Sequence, residues 1–279
     1  MKRHKIALTI AGSDPSGGAG LQADLKTFSA LGVYGASAVV AVVDENTEGV
    51  YGVHPIPDSF VAGQIRSVIG DLGVDAVKIG MLHSSELIRA VLSTLKEYPD
   101  VRNIVLDPVM VATSGDPLLE PDAVGTLRDE LMPYCRVVTP NLPEASLLLG
   151  ETIDRQDQLE EAARELSRRS GAHVSVMLKA GHLALDRDAG SPVLTDIFYN
   201  AETDTALRLT SPCVETRNTH GTGCTLSSAI AAGLAKGYSL DEAARSAKDY
   251  IAAAIAAGAS YEIGHGHGPV HHFHALWPK

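Results

Sequence analysis

Short apolar runs alternate along the chain with longer stretches in which apolar residues recur every three or four positions. The runs at 5–11 (KIALTIA), 37–43 (SAVVAVV), 75–79, 103–107 (NIVLD), 136–139 and 174–179 (VSVMLK) are rich in valine and isoleucine, and most lack polar alternation. Strands of that kind, separated by helices, predict a mainly parallel sheet covered on both faces. Residues 193–199 and 206–210 read as a further hairpin or edge pair. The helices carry their own punctuation. Helix 21–31 stops at Gly32. Helix 155–170 sets Leu159, Ala162, Ala163 and Leu166 on one face and stops at Gly171. Helix 240–257 opens with the Ser239 and Glu242 spacing of a capping box and closes at Gly258. Pro121 stands where the first turn of another helix should begin. The polar segment 184–192 is too short to separate domains, so the expectation is one three-layer α/β/α domain over 1–279.

Polar residues gather at the ends of these strands. Gly12-Ser13-Asp14, Asp44-Glu45-Asn46, Gly80-Met81, Asp107-Pro108, Pro140-Asn141 and Lys179-Ala180-Gly181 each follow a strand. An open parallel sheet binds ligands beyond the carboxyl ends of its strands, so these groups should converge on one edge. Any one of them alone would pass for turn chemistry.

Composition narrows the function classes. The chain has 279 residues, a formal net charge of -11 and no basic run, which argues against non-specific nucleic-acid binding. A nucleotide substrate remains compatible, because helix N-termini and Mg²⁺ hold phosphates locally. Cys135, Cys213 and Cys224 show no CxxC spacing, hence no disulfide framework and no zinc site. Cys135 and Cys213 read as small buried residues. The start MKRHKIALTIAGSD reads as the first strand rather than a signal peptide, and no run approaches a membrane span. A cytoplasmic protein follows as the expectation.

Two glycine-rich segments carry candidate chemistry. Gly18-Ala19-Gly20-Leu21-Gln22-Ala23 imitates the dinucleotide fingerprint, with Asp44 or Glu45 roughly where a ribose-binding acid would stand. That fingerprint begins almost at once after its strand, whereas Gly12 to Gly17 intervene here. A nicotinamide-dependent oxidoreductase is therefore the lesser reading, and a loop whose backbone approaches a flat ligand is the better one. Asn218-Thr-His-Gly-Thr-Gly-Cys-Thr225 leads into the helical run TLSSAIAAGLAKG. The amides of Gly221, Thr222 and Gly223, with the positive end of the helix dipole, would form an anion hole. Packing of a glycine-rich helix entry against the sheet is the competing explanation. The chain has no Walker A loop. Cys224 at that helix start should have its thiol pKa lowered, and could take a proton from an attacking hydroxyl. Asp107, Asn141, Glu144 and Lys179 complete the set. Carboxylates at strand ends suit hydrated Mg²⁺, and Lys179 suits charge spreading over a phosphate in transfer, a salt bridge to a neighbouring strand being its structural alternative. The tail residues His265, His267, His271, His272 and His274 match no standard metal-ligand spacing and read as a loop and tail docked on the domain.

The runs ALTIAGSDPSGGAGLQADLKTFSALGVYG, VDAVKIGML, LDPVM, VVTPNLPEA and NTHGTGCTLSSAIAAGLAKG, with the tail GPVHHFHALW, resemble the hydroxymethylpyrimidine/phosphomethylpyrimidine kinases of the ribokinase-like superfamily over essentially the whole chain. The resemblance implies a ribokinase-like α/β/α fold, ATP as co-substrate, Mg²⁺, a homodimer, and two successive phosphorylations in thiamine biosynthesis. It implies Cys224 as base, with Gly221, Thr222 and Gly223 around the transferring group. Glu45 falls on the position that holds the pyrimidine, and Gly12, Ala19, Val43, Met81 and Val109 fall on contacts to the ring. Asn141 and Lys179 go with ATP, and Asp107 and Glu144 with the metal. This chain has Thr113 where the family often has lysine, and Lys179-Ala180-Gly181-His182 where it has Lys-Gly-Gly-His. Related kinases accept pyridoxal-type substrates, which stands as the alternative activity. A non-catalytic pyrimidine-binding protein is disfavoured by the intact GTGC.

Overall fold

The structure, a computed structural model, describes residues 2–111, 118–181, 185–186 and 193–277. Parallel pairing joins strands β1 (Ile6–Ala11), β2 (Tyr34–Val39), β5 (Ala76–Ile79), β6 (Ile104–Leu106), β7 (Val137–Val138) and β8 (Ser175–Leu178). β10 (Val193–Asn200) runs antiparallel between β8 and β11 (Thr205–Pro212), and β9 (Leu185–Asp186) also pairs with β10. The spatial order is β11-β10-β8-β7-β6-β5-β1-β2. The sheet is mainly parallel, as the uninterrupted apolar runs required, and the late hairpin lies at 193–200 and 205–212.

The two faces alternate residue by residue. Ile10, Ile79, Leu106, Val138 and Val176 form one cross-strand row, all buried in a single core. That core packs under α2 (Asp58–Leu72), α3 (Ser85–Lys96), α5 (Leu142–Leu149) and α6 (Leu159–Arg169). The adjacent row, Thr9, Lys78, Val105, Val137 and Ser175, faces α1 (Gly20–Ala30), α7 (Thr222–Ala235) and α8 (Leu240–Gly258). The result is a helix–sheet–helix sandwich, with Thr9, Lys78 and Ser175 as buried polar members of that row.

Several elements follow their local signals. Ser239 accepts from the Glu242 amide while the Glu242 carboxylate returns to the Ser239 amide, which is the capping box expected for α8. α6 buries Leu159, Ala162, Ala163 and Leu166, and starts after a 3₁₀ turn at Gln156–Gln158. The C-terminal segment docks on the domain: the His271 amide donates to Ala254, and His272 is buried against Thr225.

Other expectations need correction. The run 37–43 is two strands. Val40 leaves the main sheet, and β3 (Ala41–Glu45) pairs antiparallel with β4 (Val50–Pro55) in a separate two-stranded flap. An apolar run records burial, and it does not record which partner a strand takes. Pro121 precedes the Asp122 cap of the short helix α4 (Ala123–Thr126) and so stands before the first turn. Cys213 is only half-buried, whereas Cys135 is buried as expected. Thr113, His182 and the segment 187–192 lie outside the described residues.

Candidate functional site

A cavity of about 500 Å³ opens at the carboxyl ends of β1, β5, β6, β7 and β8. Its wall contains Gly12, Ala19, Val43, Glu45, Met81 and Val109 on one side and Gly221, Thr222, Gly223 and Cys224 on another. Asp107, Asn141, Glu144 and Lys179 line the same space. The residues assigned to the site from the sequence thus line one cavity at the strand ends, whereas Asp44, Asn46, Gly80 and Ala180 from the strand-end groups are not part of its lining.

The flat slot is assembled by stitching the loop after β1 to the flap. The Ser13 amide donates to Ala41 O at 2.9 Å, and the Ser13 hydroxyl accepts from the Val43 amide at 3.0 Å. This brings Gly12, Val43 and Met81 together: a methyl group added at Gly12 would stand 2.8 Å from Met81 Cε and 3.7 Å from Val43 Cγ2. Glu45, at the end of β3, supplies the slot with a carboxylate. The flap tip is held from behind, where the His267 amide donates to Thr47 O at 2.8 Å and the Gly266 amide to its hydroxyl at 3.1 Å.

The opposite wall is the start of α7. Gly221 precedes the helix with φ 78, and no side chain caps it. Any Cβ there would collide with the Gly18 carbonyl, so the two glycine loops lie backbone against backbone and only glycine fits. No side chain caps this fourteen-residue helix, and although the Thr222 amide donates to Thr219 O at 3.2 Å, the positive end of the helix suits an anion. A methyl at Gly223 would sit 3.1 Å from Lys179 Nζ and 3.5 Å from Asp107 Oδ2, which places that ion pair beside the helix entry.

Charge is concentrated on the cavity floor. Lys179 Nζ donates to Asp107 Oδ1 at 2.8 Å, and the Thr139 hydroxyl donates to the same oxygen at 3.0 Å. Burial opposes ionisation of Asp107, but Lys179 and Lys78 overcome it and hold the carboxyl below its ordinary range. Glu144 closes a capping box with Asn141 at the head of α5. Burial pushes Glu144 up to about 7, with Lys179 pulling it down and Asp107 pushing it further up. Ala180 is fixed through its amide to Asp196, itself paired with Lys248 of α8. Among the described residues, no three His, Cys, Asp or Glu side chains converge as a metal-binding group. Two carboxylates beside this helix start suit Mg²⁺ carried on a nucleotide, since that ion takes few direct protein ligands.

The expectation of a lowered thiol at Cys224 is corrected. Packing around the sulfur pushes it up to about 11, with Lys78 and the Gly20 amide pulling it back and Asp24 and Asp107 adding to the rise. Desolvation outweighs the favourable field, so the resting sulfur is a thiol.

Three titratable cavity-lining residues were given no role from the sequence, Asp14 having been noted only within a strand-end group. Lys78 is wholly buried on Asp24, which also accepts from Thr9 and from Ser228, one turn along α7 from Cys224. Asp14 gathers the amides of Ser16, Gly18 and Ala19 and meets His220 Nε2 at 2.8 Å. His220 was visible only as a letter inside a glycine-rich run. A lysine interrupting the apolar strand AVKI was the one signal for Lys78. Asn218 also has a structural task, as its amide group donates to the carbonyls of Gly258 and Tyr261 and ties the C-terminal segment to the anion loop.

The chain matches the family model for phosphomethylpyrimidine kinase over residues 14–271. It is 52% identical to the hydroxymethylpyrimidine/phosphomethylpyrimidine kinase of Rhizobium meliloti over 272 residues, 98% of each chain. With the enzyme of that name from Escherichia coli it shares 49% over 273 residues, covering 97% of this chain and 98% of the other. Among solved structures it is similar to the pyridoxal kinase of Staphylococcus aureus in complex with ADP, with a TM-score of 0.85 at 35% identity, covering 99% of this chain and 96% of that one. The fold is ribokinase-like, the chain is a kinase, and it belongs to the phosphomethylpyrimidine kinase family.

Proposed function

We propose that this kinase transfers the γ-phosphate of ATP first to 4-amino-5-hydroxymethyl-2-methylpyrimidine and then to its monophosphate, in thiamine biosynthesis. The observation that carries the reading is the meeting of a flat slot ending in Glu45 and an uncapped glycine helix entry in one cavity of about 500 Å³. A slot lined by Gly12, Ala19, Val43, Met81 and Val109 suits a methylated heterocycle, and Glu45 is the acceptor for its amino group.

Transfer then rests on positioning and charge. The amides of Gly221 to Cys224 surround the transferring phosphoryl group, and Lys179 shares the charge on its oxygens. Asn141 carries two N–H donors toward the nucleotide phosphates. Mg²⁺ bound there would neutralise phosphate charge, with Asp107 and Glu144 as its nearest carboxylates. Cys224 accepts the hydroxyl proton. It does so as the thiolate: the resting sulfur is a thiol, so its own proton must first leave to bulk water, with Lys78 favouring the anion. In the second step the acceptor is already a phosphate, so Cys224 matters less.

The reading brings with it a cytoplasmic homodimer. Val42, Tyr51 and Val53 are exposed apolar residues of the flap, which suits contact with a second copy. No helix among the described residues is long and apolar enough to cross a membrane, and the acidic chain offers no nucleic-acid surface. Pyridoxal phosphorylation is the second reading, favoured by the likeness to a pyridoxal kinase. ADP release measured with hydroxymethylpyrimidine, its monophosphate, pyridoxal, pyridoxine and ribose tests both. Turnover of the two pyrimidines at the highest kcat/KM is expected, and a preference for pyridoxal overturns the assignment in favour of the second reading.

A further inference from the structure

His220 is the junction of the two halves of the cavity. Its backbone opens the anion loop, immediately before Gly221, and its amide is held by Gly268 O at 3.0 Å. Its ring leaves no room for a side chain at Gly18, where an added methyl would sit 2.9 Å from Pro269 Cβ and collide with the imidazole. The side chain is 6% exposed. Nε2 lies 2.8 Å from Asp14 Oδ2 and 4.0 Å from Glu45 Oε1.

Two carboxylates therefore share one imidazole inside the cavity wall. Asp14 is committed to its ionised form by the amides of Ser16, Gly18 and Ala19, at 2.7, 3.0 and 2.6 Å. A second carboxylate nearby would take up a proton to escape that charge unless a cation stood between them. Burial works against a charged imidazole, but the bond to Asp14 and the charges of Asp14 and Glu45 raise its pKa above the ordinary value. The ring lies close against Gly18 and is held by its hydrogen bond to Asp14, while its backbone is fixed by the Gly268 carbonyl.

We propose that His220 is a positioning residue that sets ring specificity, holding Glu45 as a pure hydrogen-bond acceptor facing the slot. An ionised carboxylate accepts from the amino group of an aminopyrimidine. On a pyridoxal-type ring the aldehyde oxygen, and the ring hydroxyl once ionised to phenolate, offer the same carboxylate only lone pairs, and only the un-ionised hydroxyl could donate to it. Protonated Glu45 could donate to those oxygens and would lose the preference. The inference rests on the proposed role of Glu45 as ring anchor and adds the group that fixes its protonation state.

The test is kcat/KM for hydroxymethylpyrimidine and for pyridoxal in wild type, His220→Gln and His220→Leu. Glutamine keeps an N–H for Asp14 without the cation, and so separates charge from architecture. In both variants KM for pyridoxal should fall roughly tenfold, the size of one gained polar contact, while KM for the pyrimidine changes little, because a protonated Glu45 still makes two complementary bonds to it. The pyrimidine-to-pyridoxal ratio should fall by a similar factor. A wild-type ratio in His220→Gln, or equal losses on both substrates in the two variants, would overturn the proposal and leave His220 a purely structural role. Placing Glu45→Gln beneath His220→Gln should abolish the further change in ratio, and a persisting change also overturns it. Glu45→Ala assayed alongside keeps the two ideas apart: unchanged pyrimidine KM in that variant removes the anchor itself.

Discussion

Lys78 Nζ lies 3.0 Å from the Asp24 carboxylate, with both side chains wholly inaccessible to solvent, between a strand that ends at the cavity and the helices that flank it. Thr9 and Ser228 complete the carboxylate's hydrogen bonding, each at 2.6 Å. A buried pair of this kind costs desolvation to form, yet losing one partner strands the other in low dielectric. Lys78→Met should therefore destabilise the fold by about 3–5 kcal/mol in urea unfolding. The double variant Lys78→Met with Asp24→Asn should recover part of that loss. A single variant as stable as wild type would show that the pair is not isolated from water.

Cys224→Ala should reduce kcat of the first phosphorylation by ~10²–10⁴, with pyrimidine binding retained. The second phosphorylation should fall less, because its acceptor is already anionic. Steady-state assays on the two acceptors separate these outcomes, and near wild-type turnover on the hydroxymethyl substrate removes the base assignment.

The same sulfur predicts a pH response in the free enzyme. A thiol pushed up to about 11 is protonated at neutral pH, so alkylation of Cys224 should be slow there and accelerate as pH rises toward that value. Peptide mass spectrometry after timed iodoacetamide treatment reads this out, and a plateau already reached near neutrality contradicts the burial argument.

Glu45→Gln should stay active, since a carboxamide makes two complementary bonds to an aminopyrimidine. Glu45→Ala should weaken pyrimidine binding by ~1–3 kcal/mol, the cost of leaving polar groups unpaired. Titration calorimetry with the pyrimidine distinguishes the two.

His272 predicts acid sensitivity of the fold. It is buried, hydrogen-bonded to the Thr225 hydroxyl at 3.0 Å, and pushed down to about 4 by burial first and by Lys26 and its neighbouring histidines next. The unfolded chain takes its proton near the ordinary value, so the neutral ring's contribution is complete above that value and declines as pH falls toward about 4. The loss between neutral pH and pH ~5 should be on the order of 2 kcal/mol. His272→Gln should flatten that slope in urea unfolding, and an unchanged slope assigns the acid loss to other groups.

The parallel sheet and the strand-end address of the site were legible because valine- and isoleucine-rich runs and the polar residues after them are local features. The capping box of α8 was legible for the same reason. α2 and α3 went unread; in α2 Val61, Ile65 and Ile69 repeat at helical spacing, but Gly63 and Gly70 interrupt the helix-forming residues between them. Residues whose meaning lies in a distant partner were opaque. Lys78 meets Asp24 across 54 positions, and His220 meets Asp14 across 206. The thiol of Cys224 was misjudged because a helix start is visible in sequence and the desolvation around it is not.

The departure of the backbone from the sheet at Val40 has a consequence for how this scaffold changes over time. Glu45, the proposed ring anchor, rides on a ribbon outside the main sheet, whereas the residues proposed to handle phosphate are rooted in the sheet and in α7. Substitutions in that ribbon can exchange one vitamin precursor for another while the transfer apparatus stays intact.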